Sequence, residues 1–122
     1  MRALVTTAVL IFASVIAGTS LFIHADSNTS VSEQDVSYVL AVSSDVAYGE
    51  YLAGECASCH ATTAVSGSNV PVIQGASSEH IAQALLEYRS GIRDNSTMRN
   101  VVSALGDEEI AVLAHYFAQQ TK

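Results

Sequence analysis

Residues 56–60 read Cys-Ala-Ser-Cys-His, and these five positions hold both cysteines of the 122-residue chain. The pattern C-x-x-C-H is the attachment site of a c-type haem. Two thiols three positions apart on one helical turn can each form a thioether to one of the two haem vinyl groups. A histidine directly after the second thiol lies under the iron, where it can supply one axial nitrogen. The stretch therefore predicts a haem bound covalently to Cys56 and Cys59, with His60 as an iron ligand.

Closely spaced cysteines also occur in zinc sites and in redox dithiols. A tetrahedral zinc site would add a second histidine to Cys56, Cys59 and His60, and the adjacency of the last two suits that geometry poorly. A thioredoxin-like dithiol belongs to a βαβ setting, but the sequence has no alternating strand pattern after residue 45. The haem interpretation is therefore preferred to both.

The N-terminal segment, residues 1–25, has the composition of a secretory signal peptide. Arg2 precedes an uncharged, mainly apolar run over residues 3–23. We predict cleavage after Ala25, with Ala17 as a second candidate. The alternative is an uncleaved membrane anchor, because about 20 apolar residues can span a bilayer. Both arrangements export the domain that follows, and the predicted location is the periplasm, where bacteria attach haem c.

The chain is strongly acidic, with 12 Asp and Glu, 5 Lys and Arg, and a formal net charge of −7 at pH 7. Removal of residues 1–25 takes away one basic residue and no acidic one, so the exported domain is more negative still. We do not expect such a surface to bind nucleic acid. It also lacks a ring of positive charge for docking on an acidic oxidase, so the expected partner presents a basic or mainly apolar patch.

Three segments are predicted along the chain: the signal peptide, a Ser-rich linker or arm over residues 26–44, and a domain over residues 45–122. The arm is poorly patterned, as linkers are. If the signal peptide stays attached, the arm tethers the domain to the membrane. Its apolar residues allow one short amphipathic turn laid against the domain, formed by Val36, Val39, Leu40 and Val42.

Helix boundaries are marked clearly in three places within the domain. Asp45 is an N-cap residue for a helix that runs into the cysteines. Ser77 or Ser78 caps a second helix, and a last helix opens at Gly106 with three acidic residues in its first turn. Residues 61–76 form a loop long enough to wrap one face of a ligand. The domain is therefore predicted to be all-α, with three to five helices.

A second axial ligand is needed if the iron only carries electrons, and Met98, His80 and His115 are the candidates. Met98 is the only methionine apart from Met1, and it follows polar turn-forming residues rather than an apolar helix stripe. We therefore place it on a loop and predict it as the ligand. A thioether favours ferrous iron and raises the reduction potential relative to a second imidazole. The two histidines are expected to be surface or packing residues.

Longer stretches resemble the class I cytochromes c, nearest to the bacterial cytochrome c4 type and to the haem subunit of flavocytochrome c sulfide dehydrogenase. The resemblance implies one covalent haem c on Cys56 and Cys59, with His60 and Met98 as axial ligands. It also implies that the first and last helices of the domain cross near Gly49, beside Tyr116 and Phe117. The matching stretches are GEYLAGECASCH (49–60), PVIQG (71–75), LLEYRSGIR (85–93), Met98 and LGDEEIAVLAHYF (105–117).

The chain departs from this family at two places. Members often have a glycine directly after C-x-x-C-H, where this chain has Ala61. They also often have a proline near the position of Ser68, and its carbonyl accepts a hydrogen bond from the axial histidine. Pro71 matches a later position, so the acceptor is expected among the carbonyls between Gly67 and Pro71.

Arg89 and Arg93 precede Met98 and are candidates for binding a haem propionate. An arginine can neutralise a propionate with bidentate hydrogen bonds, or it can lie exposed and oppose the negative end of a helix. Both interpretations stay open for Arg89. Propionate contact is predicted for Arg93.

These observations predict a periplasmic mono-haem cytochrome that transfers single electrons between redox partners, such as a flavoprotein or a terminal oxidase or reductase. With both axial positions filled, no iron site is open to a substrate, so the chain is not expected to be an enzyme. One alternative is a non-catalytic haem subunit of a flavoprotein enzyme, for example a sulfide dehydrogenase. Another is a ligand-binding or sensing haem protein, which requires the Met98 position to be vacant or labile.

Overall fold

The structure, a computed structural model, describes residues 30–60, Gly67 and residues 69–121. Within these residues the chain forms five α-helices and no strand, which confirms the predicted all-α architecture. The helices are α1 (Glu33–Val42), α2 (Val46–Ala57), α3 (Ser78–Arg89), α4 (Ser96–Val102) and α5 (Asp107–Ala118).

Some predictions concern residues outside the described part of the chain. They are the signal peptide or anchor over residues 1–25, and the departures from the family at Ala61 and Ser68. Among the helices that the structure does describe, none is both long enough and apolar enough to cross a membrane.

Helix α5 is the centre of the fold, because α1, α2 and α3 all pack against it. Half of its twelve residues are buried, and they point in several directions around the axis rather than along one stripe. A helix that is apolar on most sides is a central helix. The buried residues are Ile110, Ala111, Val112, Leu113, Ala114 and Phe117.

The crossing of α2 and α5 depends on Gly49. A Cβ atom at this position would collide with the carbonyl oxygen of Val112 and lie 2.8 Å from Cβ of Tyr116. The two backbones therefore touch at a distance that only glycine permits. The helix crossing implied by the family resemblance is present in the structure.

A helix occupies much of the segment that was predicted to be a linker. Residues 33–42 form α1, which packs on α3 and α5 and buries Val36 and Val39. The side chains of Ser32 and Asp35 cap its first turn reciprocally, with Asp35 N donating to Ser32 Oγ over 3.2 Å and Ser32 N donating to Asp35 Oδ2 over 3.2 Å. Serine lowers helix propensity inside a helix but favours its ends. Two serines of this segment, Ser32 and Ser43, are accordingly the N-cap and the C-cap of α1.

His115 joins α1 to α5. Its Nε2 lies 3.0 Å from the carbonyl oxygen of Leu40 in the last turn of α1. Because a carbonyl oxygen only accepts hydrogen bonds, Nε2 carries the hydrogen in this contact. His115 is thus a packing residue, as predicted.

Candidate haem site

An apolar cavity of about 320 Å³ contains in its wall all four residues that were predicted to hold the haem. Cys56 lies in the last turn of α2, Cys59 and His60 follow directly after the helix, and Met98 comes from α4. The rest of the wall is mainly apolar and is supplied by residues 69–73 and Ala76, by α3 and α5, and by Arg93, Asn95 and Thr97 beside Met98. These apolar residues include Val70, Val72, Ile73, Ile81, Leu85, Leu113 and Phe117.

The two cysteines lie on the same cavity wall with different exposure. Cys56 is half-buried and Cys59 is exposed, and both are free thiols. Burial raises the pKa of the Cys56 thiol, so this thiol is protonated at neutral pH. Thioether bonds to the two vinyl groups of a single haem would require two thiols on the same cavity wall, and this arrangement provides them.

The ring of His60 is held by one strong hydrogen bond. Nδ1 lies 2.7 Å from the carbonyl oxygen of Pro71. Since a carbonyl oxygen cannot donate, Nδ1 carries the hydrogen and Nε2 keeps the lone pair that a metal needs. The acceptor, which the sequence left open between Gly67 and Pro71, is therefore Pro71. The backbone N–H of His60 donates to the Cys56 carbonyl over 2.9 Å, which keeps the histidine next to the helix end.

Gln74 is a site residue that sequence reasoning missed. Its side chain is 4% exposed, and Nε2 donates to the backbone carbonyl oxygen of His60 over 2.8 Å. The next residue, Gly75, donates its N–H to the carbonyl oxygen of Phe117 over 2.9 Å and so attaches this segment to α5. The available signal was a glutamine placed between Ile73 and Gly75 in an otherwise apolar stretch.

Met98 lies on a helix rather than on the predicted loop. It is the third residue of α4, and its N–H donates to Oδ1 of Asn95 over 3.0 Å at the helix cap. The helix has seven residues, too few for a 3.6-residue period to stand out in the sequence. The side chain is half-buried and still reaches the cavity wall.

Arg93 lines the cavity but is paired with a carboxylate of the protein. Its Nη2 lies 2.8 Å from Oε2 of Glu87, and its Nε donates to the same oxygen over 3.0 Å. The guanidinium carbon also lies 5.3 Å from the centre of the Tyr88 ring. The residue is therefore held at the cavity by α3.

Arg89 has a structural role between two helices. Its Nη2 lies 2.6 Å from Oδ1 of Asp107, and Nη1 donates to the Leu105 carbonyl oxygen over 3.2 Å. These groups belong to the start of α5, and Arg89 is not among the residues of the cavity wall. The sequence left two interpretations of Arg89 open, and its place away from the cavity wall does not support the one in which it binds a propionate.

His80 also lies on the cavity wall, in the first turn of α3. Its backbone N–H donates to Ser77 Oγ, over 3.2 Å, which caps the helix. The residue as a whole is exposed, in agreement with the surface role that was predicted. In the described ranges, no group of three or more His, Cys, Asp and Glu side chains is arranged to hold a metal ion.

The donors of this cavity fit a haem. Two thiols can form thioethers, an imidazole presents Nε2 because Nδ1 is tied to a carbonyl, and a thioether supplies a soft sulfur. The apolar wall suits the faces of a macrocycle. The same groups suit zinc less well, because Cys59 and His60 are adjacent in the chain and poorly placed for a tetrahedral site.

Comparisons with known proteins agree with this chemistry. No family model matches the chain. The chain is 38% identical over 74 residues to the cytochrome subunit of sulfide dehydrogenase from Chlorobaculum tepidum, an alignment that covers 61% of this chain and 67% of that protein. The chain belongs to the c-type cytochromes. This cytochrome is also 31% identical over 68 residues to the thiosulfate dehydrogenase electron acceptor from Stutzerimonas stutzeri, covering 52% of this chain and about a third (32%) of that relative.

Membership of this family confirms the predicted type of function. A cytochrome binds haem and transfers electrons, and both relatives are named for electron-transfer components rather than for catalytic subunits. This cytochrome is accordingly an electron carrier and not the catalytic part of an enzyme.

Proposed function

We propose that this cytochrome is a class I, mono-haem electron carrier of the periplasm that passes single electrons between redox proteins. The observation that carries the proposal is that Cys56, Cys59, His60 and Met98 meet on the wall of one cavity. Because the chain has two cysteines, thioether chemistry can attach one haem. When bound, the haem supplies a one-electron ferric/ferrous couple.

The residues of the site then have separate roles. Cys56 and Cys59 would hold the haem covalently, and His60 would bind the iron through Nε2, with its ring fixed by Pro71. Met98 would supply a second ligand to the iron, and its soft sulfur would favour the ferrous state. The apolar wall excludes water, so a change of charge at the iron requires little solvent rearrangement.

Arg93 is assigned to a propionate of the haem. It lies on the cavity wall, and its ion pair with Glu87 uses Nε and Nη2 of the guanidinium. Nη1 is thus the nitrogen that we assign to the propionate. The contact with the Tyr88 ring holds the guanidinium plane in place.

The exported unit is proposed to begin after Ala25, with residues 1–25 as its signal peptide. The domain over residues 45–122 carries the haem, and α1 extends it on the side of α3 and α5. If residues 1–25 stay attached, residues 26–44 tether the same domain to the membrane.

Spectra of the exported, haem-loaded protein test the proposed ligands. We expect a c-type ferrous spectrum and, in the ferric protein, the sulfur-to-iron charge-transfer band at the red end of the visible range. Met98→Ala should abolish this band and allow the ferrous protein to bind carbon monoxide at neutral pH, because one axial position becomes open.

His80→Ala is the matched control, since His80 lines the same cavity and is not assigned to the iron. This variant should keep the charge-transfer band. A band that survives Met98→Ala, or that disappears in His80→Ala, would refute the assignment of Met98. Carbon monoxide binding by the unmodified protein would favour the ligand-binding or sensing alternative.

A second candidate function is that of a haem subunit in a flavoprotein enzyme that oxidises a reduced sulfur compound. It is favoured by the relative from Chlorobaculum tepidum, which is named as a subunit of sulfide dehydrogenase. The acidic chain would then dock on a basic or mainly apolar patch of the flavoprotein. Co-expression with a flavoprotein encoded next to it, followed by gel filtration, distinguishes the two functions. A stable complex supports the subunit role, and separate elution supports a free carrier.

A further inference from the structure

Gln74 is the only buried polar side chain among the residues that the structure describes, with 4% of its surface exposed. Its Nε2 donates to the backbone carbonyl oxygen of His60 over 2.8 Å. Its Oε1 is buried and has no hydrogen-bond partner in the described part of the chain. Gln74 itself does not line the haem cavity.

The orientation of this amide is fixed by chemistry. If the amide were turned over, Oε1 would face the carbonyl oxygen of His60, and two acceptors would be in contact. Nε2 must therefore face His60. Among the described residues Oε1 has no partner, and a buried acceptor without one costs free energy that an apolar side chain of the same size would avoid. The amide is therefore a poor choice for packing alone, and its hydrogen bond to His60 is what distinguishes it from an apolar residue.

We infer that Gln74 is a positioning residue for His60, the proposed axial ligand. His60 is held at two points by one short segment: its ring by the Pro71 carbonyl and its main chain by the Gln74 side chain. The segment is itself fastened to α5 through the bond from Gly75 N to Phe117 O. The ring and the main chain of His60 are thus both held by the segment that contains Pro71 and Gln74. The inference rests on the proposed role of His60.

The consequence for the iron follows from the bond at Nδ1. A short bond from Nδ1–H to a carbonyl makes the imidazole a stronger donor and so stabilises ferric iron. Without Gln74, the His60 main chain can shift relative to Pro71, which lengthens this bond. The imidazole becomes a weaker donor, and the ferrous state is favoured.

The test variant is Gln74→Met, which keeps the length of the side chain and removes both polar atoms. In the haem-loaded protein we expect the redox equilibrium with a reference dye to shift several-fold toward the ferrous form. The hydrogen on His60 Nδ1 should exchange with deuterium at least several-fold faster. Gln34→Met, which changes an exposed glutamine on α1, is the matched control and should alter neither quantity.

A purely structural role predicts a different result. Gln74→Met would then change thermal stability while leaving the redox equilibrium and the Nδ1 hydrogen exchange as in the unmodified protein, and this outcome would overturn the inference. A second measurement needs no variant. The side-chain N–H₂ of Gln74 should exchange much more slowly than that of the exposed Gln34, and equal rates would also overturn it. If spectra show that His60 does not bind the iron, the proposed function fails instead, while the slow exchange at Gln74 would still report the hydrogen bond.

Discussion

Gly49 and Gly54 lie five residues apart on α2, yet a side chain would meet different surroundings at the two positions. A Cβ at residue 49 would collide with the α5 backbone, whereas a Cβ at residue 54 would have nothing within 4 Å. The first glycine permits the helix crossing. The second one only lowers the helix propensity of α2.

This contrast gives a paired prediction. Gly49→Ala should lower the free energy of unfolding by about 1–3 kcal/mol or more, because a backbone contact cannot move aside as a side chain can. Gly54→Ala should raise the free energy of unfolding by up to ~1 kcal/mol, because alanine favours a helix. Thermal unfolding of the two haem-loaded variants, followed by circular dichroism, checks the pair. Equal changes in both variants would contradict the crossing at Gly49.

Tyr48 provides a second prediction at this scale. Its hydroxyl donates to Oε1 of Glu109 over 3.3 Å and joins α2 to the start of α5. Burial, followed by the negative charges of Glu109 and Glu108, raises the pKa of the Tyr48 phenol. A phenol whose pKa is raised by folding contributes stability that is complete below its unfolded pKa of about 10 and is lost as pH rises through the folded pKa.

The unmodified protein should therefore lose stability as the pH rises above about 10, and Tyr48→Phe should flatten this dependence. Chemical denaturation at a series of alkaline pH values measures the effect. Tyr38→Phe, which changes a residue that is 67% exposed on α1, serves as the control. An identical pH dependence in the Tyr48→Phe variant and the unmodified protein would exclude the proposed effect of the phenol.

Among the helices, α1 is the one whose contribution to the free energy of unfolding can be measured most directly. Val39 is 3% exposed in the interface of α1 with the domain, and Val42 at the end of the same helix is 45% exposed. Val39→Ala should cost about 1–3 kcal/mol of unfolding free energy because it removes buried methyl groups. Val42→Ala should change it by less than about 0.5 kcal/mol. Urea denaturation of both variants decides whether α1 is part of the cooperative fold, and similar small changes would show that it is not.

The whole molecule is dominated by its negative charge. The formal net charge is −7, and all three arginines of the described part are close to carboxylates. A cationic small-molecule oxidant should therefore react with the ferrous protein faster at low salt, and its rate should fall as salt rises, because added ions screen the attraction. An anionic oxidant should show the opposite trend. Stopped-flow kinetics with the two oxidants over an ionic-strength series measures both slopes.

The same reasoning applies to a protein partner. Docking on a basic patch should slow as salt is added, and docking on an apolar patch should be nearly insensitive to salt. Acceleration by salt would indicate an acidic partner and contradict the expectation drawn from the composition.

Local signals in the sequence predicted much of the fold, but not all of it. Asp45 and Ser77 were recognised as caps, and both cap helices in the structure. Over residues 33–42 the sequence indicated only one short amphipathic turn within a linker, because the buried face of α1 is two valines wide and too narrow to predict a full helix. Met98 was placed on a loop because α4 is too short to show a helical period.

The sequence by itself indicated the chemistry that we propose for residues 56–60, because covalent attachment of a haem would need thiols and an imidazole at fixed spacing along the chain. It also determined that the domain is helical. Only the tertiary structure decided that Pro71 accepts from His60, that Gln74 holds the His60 main chain, and that Arg93 pairs with Glu87. The physical reason is that every residue has a carbonyl group and most arginines have several carboxylates within reach. Which of them lies within 3 Å depends on the path of the chain in space, and no local pattern records that path.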